Sequence, residues 1–548
     1  MQFKDNSEAQ PYDFLIIGGG ISGASLAREA VLRGYSVALV DKNDFSAGTS
    51  SRSGKLIHGG VRYLETMDLK VVRESCRERE TQLRIAPHLG NVQPILFVSN
   101  DQGKYRPWQL RIALSFYDFV SGNPNNRKSR IFSKKQLEEK EPNLNTRGLY
   151  GAGLFHDLAT NDARLTIDTL KSAVQQGADV ANYTEVTDLL YRDGKVSGVV
   201  AKTLKTGESF SLHAKHVINA CGPGVDAIRL MDDPSARLLM KPSKGVHLAF
   251  RSDRLPINNG IFMHVGSDNG RMNWVLPKHN EGFVFAGATD TFFEGDIDNP
   301  GITEADIDHV LKATNEIIPS ANLTRKDILS AWAGLRPLVD SGSVSNASKV
   351  SRRHLVTHSQ SQLYTLAGGK LSTCRLMAEE TIDYVEKHAM LPKTSPLSHI
   401  TPISGGETIP AEQLNSPGSF SEEDHARIFR VFGSNATVIS GMAPSSTEAS
   451  RIAPSVPLTK AELRYILRNE FVTHLADLLI RRTNIFYSLQ DGGLSEIKAI
   501  GELVAKELGW SSQELQNEIT AYQKEVTANR HVDATTEFQT GQEAKIDA

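Results

Sequence analysis

Three glycines and one acid are the residues here whose types and spacing most directly imply chemistry. Gly18, Gly20 and Gly23 stand as G-x-G-x-x-G, and Asp41 follows roughly 20 residues later. A pyrophosphate held against peptide N–H groups needs a tight turn, a close backbone approach and a helix pressed onto its strand, and a Cβ obstructs each. An acid ending the next strand accepts from adenosine ribose hydroxyls and disfavours a 2′-phosphate. The elements that must position these residues follow in order. Phe14 to Ile17 reads as a buried parallel strand, Ala24, Ala27 and Ala30 keep the next helix thin, Gly34 ends it, and Val37 to Val40 forms the second strand. This register implies dinucleotide binding, and FAD and NAD both satisfy it.

At 548 residues the chain has room for two or three domains, or for one dinucleotide-binding enzyme with an insertion. Net charge is only −3, which argues against nucleic acid as the main partner. Cys76, Cys221 and Cys374 are far apart, make neither a metal pattern nor a disulfide framework, and fit a reducing interior. The first ten residues carry no apolar export core, and no stretch reaches the roughly 18 apolar residues of a spanning helix. Any membrane contact is therefore expected to be peripheral.

After Asp41 and Lys42 the chain reads N-D-F-S-A-G-T-S-S-R-S-G-K-L-I-H-G-G-V-R-Y-L-E. Hydroxyls and glycines alone would suit a solvated linker, but Lys55, His58 and Arg62 are spaced as donors along a pyrophosphate and under a flavin ring. Here the sequence resembles the FAD-dependent glycerol-3-phosphate dehydrogenases, which carry T-S-S-x-S-S-K-L-I-H-G-G-x-R-Y-L-E, with Gly54 replacing a serine. Two further stretches strengthen the resemblance. N-A-C-G-P-G-V-D resembles N-A-x-G-P-W-V-D, with Gly224 for the tryptophan, and G-G-K-L-S-T-C-R resembles G-G-K-L-T-T-Y-R. In the latter, a strand ending at Ala367 runs through Gly368 and Gly369 into a helix whose N–H groups would face the pyrimidine end of a flavin.

The resemblance implies non-covalent FAD held by Gly18, Gly20, Ile21, Ser22, Gly23, Asp41, Lys42, Thr49, Ser50, Ser51, Ser53, Lys55, Leu56, His58, Val186, Ala220, Gly222, Gly369, Lys370, Leu371 and Ser372. A rival role for His58 is covalent flavin attachment, as in related amine-oxidising flavoproteins. The substrate, glycerol 3-phosphate, is expected at Arg62, Tyr63, His247, Arg336, Arg352 and Lys370, with His247 and Arg336 catalytic. Hydride would pass from C2 to flavin N5, and electrons onward to a membrane quinone. An oxidase of the same substrate using oxygen and an amine or amino-acid oxidase are the alternatives.

The expected fold is α/β: an FAD-binding Rossmann-like domain of the two-dinucleotide-binding, D-amino-acid-oxidase-like kind, an antiparallel substrate domain, and a C-terminal helical cap. The expected division is FAD-binding residues 1–95, 160–235 and 345–390, substrate residues 96–159 and 236–344, a linker over 391–416, helices over 417–532 and a disordered tail over 533–548. Strands are expected at Glu208 to Leu212 and again at His216 to Gly222, and Arg481 and Arg482 are expected to hold contacts between helices. Trp108, Ile112, Phe116 and Phe119 can share one helical face, by default packed in the core. Flanking Lys104, Arg106, Arg111, Arg127, Lys128 and Arg130 also suit an anionic membrane surface, and the resemblance implies a cytoplasmic homodimer associated with the inner face of the cell membrane.

Overall fold

The computed structural model describes residues 6, 8–61, 69–103, 105–121, 127–268, 271–340, 353–414 and 417–530. Arg62, Tyr63, Lys104, Arg352 and the expected tail lie outside the described residues. Strand β1 (Tyr12–Ile17), helix α1 (Ile21–Leu32) and strand β2 (Val37–Val40) form the unit read from the glycine turn. β1 lies inside an eight-stranded sheet, parallel to β2 on one side and to strand Ser209–Asn219 on the other. Phe14 to Ile17 are apolar without alternation because both faces are covered there. Phe14 and Ile16 pack with α1 and with helices Asp162–Gln175 and Cys374–His388, while Leu15 and Ile17 pack with Val199 and Leu212 of a β meander.

Ser209–Asn219 is one continuous strand where two were expected. Its first half pairs antiparallel with Lys195–Thr203 and its second half parallel with β1, so a single extended segment serves both the meander and the central sheet.

The second sheet has ten strands, antiparallel except where Gly260–Val265 runs parallel to Asn91–Asn100. Asn91–Asn100 pairs along its length with Leu149–Ala159, so the expected boundary between residues 95 and 96 falls inside a strand of this sheet. Alternation along strand Ser243–Arg251 separates two cores. Leu248 and Phe250 pack toward helix Glu304–Ile317, whereas Ala249 joins a core that continues through Phe285 and Trp332 into the C-terminal helices at Phe432, Ile466 and Tyr487. His247 shares the face of Ala249 and therefore points between sheet and cap. The capping boxes at Thr459 with Glu462 and at Ser511 with Glu514 form as expected.

Helix Pro107–Ser121 corrects the expectation of core packing. Leu110, Leu114 and Tyr117 are its buried stripe, with Leu114 lying against Gly153 of the sheet. Trp108, Ile112, Phe116 and Phe119 face outward and are 63%, 63%, 38% and 83% exposed. Among the described residues no helix is long and apolar enough to cross a membrane.

Candidate active site

The glycine turn is built as its chemistry requires. Gly18 adopts a φ of +107°, and a Cβ there would lie 2.8 Å from the Ala220 carbonyl oxygen. A Cβ on Gly23 would collide with the Gly18 carbonyl, so this glycine sets the contact between helix and strand. A Cβ on Gly20 would meet only the Ser50 hydroxyl, at 3.1 Å. That side is open, at the start of α1 beside Ile21 and Ser22, and has the character of an anion site. Gly20→Ala is accordingly expected to fold but to purify colourless, with flavin absorbance per protein as the measure; full occupancy would remove Gly20 from the site.

Asp41 has an added task. Its Oδ2 accepts from the Gly19 N–H at 2.6 Å and its Oδ1 from the Asn43 N–H at 2.8 Å, so the carboxylate also shapes the turn. Burial pushes its pKa up to about 6 against those bonds. A cavity of ≈ 210 Å³ opens beside it, lined by Gly18, Lys42, Thr49, Val186 and Leu335 among others, and so runs from the turn to the second sheet. Ala220 is buried at the end of its strand and Gly222 follows in a turn with φ +57°. Lys42 pairs across the cavity mouth with Asp298 at 2.6 Å. Arg52, not foreseen from sequence, also lines this cavity.

The following loop divides its donors. Thr49 Oγ1 donates to the Leu335 carbonyl at 2.7 Å, and Ser50 Oγ accepts from the Ile21 N–H at 2.8 Å. Ser53 and Lys55 turn inward rather than along a pyrophosphate. Both the N–H and the hydroxyl of Ser53 donate to Asp162 Oδ2, and Lys55 Nζ pairs with Asp162 Oδ1 at 2.7 Å after a bond to the Ser51 carbonyl. Burial opposes the Lys55 charge, and Asp162 more than restores it. Leu56 belongs to a short strand paired with Ala159 at the edge of the second sheet. The His58 N–H donates to Ser372 Oγ at 3.1 Å, which joins this loop to the other flavin motif. There Gly369 takes a φ of +91°, packed against Met377, and Lys370 precedes the turn Leu371–Thr373 that leads into helix Cys374–His388.

On the opposite wall, strand Ser243–Arg251 pairs antiparallel with Ile328–Arg336, with His247 opposite Trp332 and Ser243 opposite Arg336. Arg336 bends back over Gly245, where a Cβ would lie 2.5 Å from its Nη2, so the guanidinium approaches His247 along one strand face. It donates to Asp290 Oδ1 at 3.1 Å and to the Thr289 carbonyl at 3.1 Å. His247 is buried, stacked on Trp332 at 5.1 Å and beside Trp274 at 5.2 Å. Burial first, then the charges of Arg336 and Lys55, hold its pKa well below the ordinary imidazole value. Among the described residues no protein atom bonds its Nδ1, and its Nε2 lies 4.0 Å from where a Cβ on Gly54 would be. The loop glycine and the histidine thus meet at one point.

Asp162, Trp274, Trp332 and Asp290 were not foreseen as parts of this site. Only Trp332 had a legible signal, standing four residues before Arg336 and so on its face of the strand.

A dinucleotide turn, a cavity leading from it, and a buried histidine beside a half-buried arginine on the facing sheet fit an FAD-dependent oxidoreductase. Residues 13–381 match the FAD dependent oxidoreductase family, and residues 397–515 match the C-terminal domain of alpha-glycerophosphate oxidase. The chain is 34% identical over 540 positions to the aerobic glycerol-3-phosphate dehydrogenase of Staphylococcus haemolyticus, with 95% of each covered. It is 34% identical over 572 positions to the alpha-glycerophosphate oxidase of Streptococcus pneumoniae, covering 92% of this chain and 93% of that one. The X-ray structure of glycerol-3-phosphate dehydrogenase from Bacillus halodurans complexed with FAD matches at a TM-score of 0.79 and 31% identity over 95% of both chains. The chain belongs to the FAD-dependent glycerol-3-phosphate dehydrogenase and oxidase family.

Proposed function

We propose that the protein oxidises sn-glycerol 3-phosphate at C2 to dihydroxyacetone phosphate and delivers the electrons to a membrane quinone. The observation that carries this reading is the placing of buried His247 and half-buried Arg336 on one face of two paired strands, within a chain that aligns nearly end to end with relatives named for this substrate. Non-covalently bound FAD supplies the hydride acceptor. His247, kept neutral by its surroundings, takes the proton of the C2 hydroxyl. Arg336, steadied by Asp290, stabilises the negative charge that develops on that oxygen. Trp274 and Trp332 exclude water around the imidazole. Arg62, Arg352 and Lys370 are assigned to the phosphate from their motifs, and Lys370 with the N–H groups after Gly369 to the pyrimidine end of the cofactor.

Two observations favour quinone over oxygen. The match to the streptococcal oxidase needs 572 positions although only 92% of these 548 residues take part, so that oxidase carries inserted residues with no counterpart here. The staphylococcal dehydrogenase needs 540 positions for 95% of this chain, and the insertions shrink. The second observation is the outward face of helix Pro107–Ser121, where exposed Trp108, Ile112 and Phe119 stand with Arg111, Lys128 and Arg130 also at the surface. Exposed aromatic and basic side chains suit the interface of an anionic bilayer and support association with the inner face of the cell membrane.

The test follows both points. Holoenzyme is expected to reduce a quinone analogue far faster than it releases peroxide, and stoichiometric peroxide at full turnover would favour the oxidase reading. Replacing Trp108 and Phe119 together by serine should weaken binding to phosphatidylglycerol vesicles by at least about tenfold, since each buried aromatic contributes ~1.5–3 kcal/mol. Turnover with a soluble dye should be unchanged.

A further inference from the structure

Behind the cavity wall, the C-terminal domain grips the dinucleotide turn through a buried ionic cluster that the catalytic reading does not use. Asp44 lies on the loop that follows β2, and its carboxylate takes both ends of the Arg482 guanidinium, Nη1 to Oδ2 and Nη2 to Oδ1, each at 2.7 Å. Arg481 Nε donates to the same Oδ2, and its Nη2 reaches Asp477 Oδ1 at 2.6 Å. Tyr183 Oη donates to Asp477 Oδ1 at 2.6 Å, and Asn182 Nδ2 to Asp44 Oδ1 at 3.1 Å. All four charged groups are buried, and their charges cancel in pairs. Burial works against the Asp44 charge, but Arg482 and Arg481 hold its pKa down at about 2.

The grip extends to the turn in two short steps. Phe45 stands against Gly19, which has no room for a Cβ on that side, and its ring meets Phe471 of the C-terminal domain edge-on at 5.2 Å. The Ser46 N–H donates to the Gly19 carbonyl at 3.1 Å. Gly19 in turn donates to Asp41, whose carboxylate lines the cavity. None of Asp44, Phe45, Arg481 or Arg482 lines that cavity, so they act through Gly19 and Asp41 rather than by contact with the cofactor.

We propose that Arg481 and Arg482 are positioning residues for FAD: through Asp44 and Phe45 the C-terminal domain fixes the conformation of the dinucleotide turn, and cofactor affinity depends on that fixation. A planar bidentate fork is what sets geometry here, and lysine keeps the charge while losing the fork. The experiment compares full-length Arg482→Lys with full-length Arg427→Lys. Arg427 makes the same bidentate fork wholly inside the C-terminal domain, to Glu462 Oε1 and Oε2 at 2.6 Å each, and among the described residues no hydrogen bond or ion pair joins it to Asp44, Phe45, Arg481 or Arg482. FAD dissociation constants are measured by fluorescence quenching on flavin-stripped chain, with ADP as a probe of the adenosine half alone.

Arg482→Lys should weaken FAD and ADP by the same factor, at least about tenfold, while kcat and KM at saturating FAD stay within twofold of wild type. Arg427→Lys should lower the melting temperature and leave both affinities unchanged. Unchanged FAD affinity in Arg482→Lys overturns the proposal, as does an equal loss of affinity in Arg427→Lys, or a fall in kcat at saturating FAD with affinity retained. If Arg482→Lys does not fold, Tyr183→Phe removes one hydrogen bond from the same cluster and should raise the FAD dissociation constant about fivefold. No change there overturns the proposal equally.

Discussion

His247→Asn is expected to slow the bleaching of enzyme-bound flavin by substrate by a factor of order 10² to 10⁴, with flavin content unchanged. The size follows from the role: a positioned base contributes in that range, and asparagine preserves polarity and approximate bulk between the indoles of Trp274 and Trp332 without accepting a proton at this pH. Stopped-flow absorbance under anaerobic conditions separates this step from reoxidation. A normal bleaching rate would exclude His247 as the base and turn attention to Arg336 or a water.

The pH dependence carries its own sign. Protonated imidazole cannot accept the hydroxyl proton, so activity falls on the acid side as His247 titrates. Burial, Arg336 and Lys55 all hold that titration below the ordinary imidazole range, so kcat/KM should be flat through neutrality and decline only below the ordinary value of about 6.5. A bound phosphate dianion acts in the opposite direction to the two cations, so the acid limb of kcat should lie at higher pH than that of kcat/KM. In His247→Asn both limbs should vanish. Limbs that persist unchanged would belong to another group.

The sequence was most legible where backbone geometry dictates residue type. Gly18 and Gly23 could be assigned separate roles because each excludes a Cβ for its own reason, while Gly20 leaves an open side, and the spacings of β1, α1 and β2 followed from burial on two faces or one. Periodicity found the stripe of Trp108, Ile112, Phe116 and Phe119 but could not say which way it points. The competing stripe of Leu110, Leu114 and Tyr117 takes the core, and no local signal ranks the two. Charged groups were the least legible. Lys55 and Asp162 are 107 residues apart, and Arg482 and Asp44 are 438 apart. A donor in a glycine-rich loop looks free in one sequence until the acid that meets it is brought there by the fold.

Glycerol is expected to be oxidised with a kcat/KM lower than that of glycerol 3-phosphate by at least about 10³, because a site built to pair a polar group rejects the analogue lacking it. Without the phosphate, the binding energy that would otherwise hold C2 in place is lost. Inorganic phosphite, added as a detached dianion, should restore part of the rate with glycerol. Arg336→Lys then separates two roles for the one arginine in this set whose geometry is described in detail. Its guanidinium lies over Gly245 and against Asp290, two positions along the strand from His247, which supports its proposed role at the reacting carbon rather than at the phosphate. The variant should therefore lose the same factor with glycerol as with glycerol 3-phosphate. A loss confined to the phosphorylated substrate would move Arg336 to the phosphate and leave His247 to act on the hydroxyl without it. Equal turnover of glycerol and glycerol 3-phosphate by the unmodified enzyme would remove the phosphate pocket altogether, whatever the behaviour of His247→Asn.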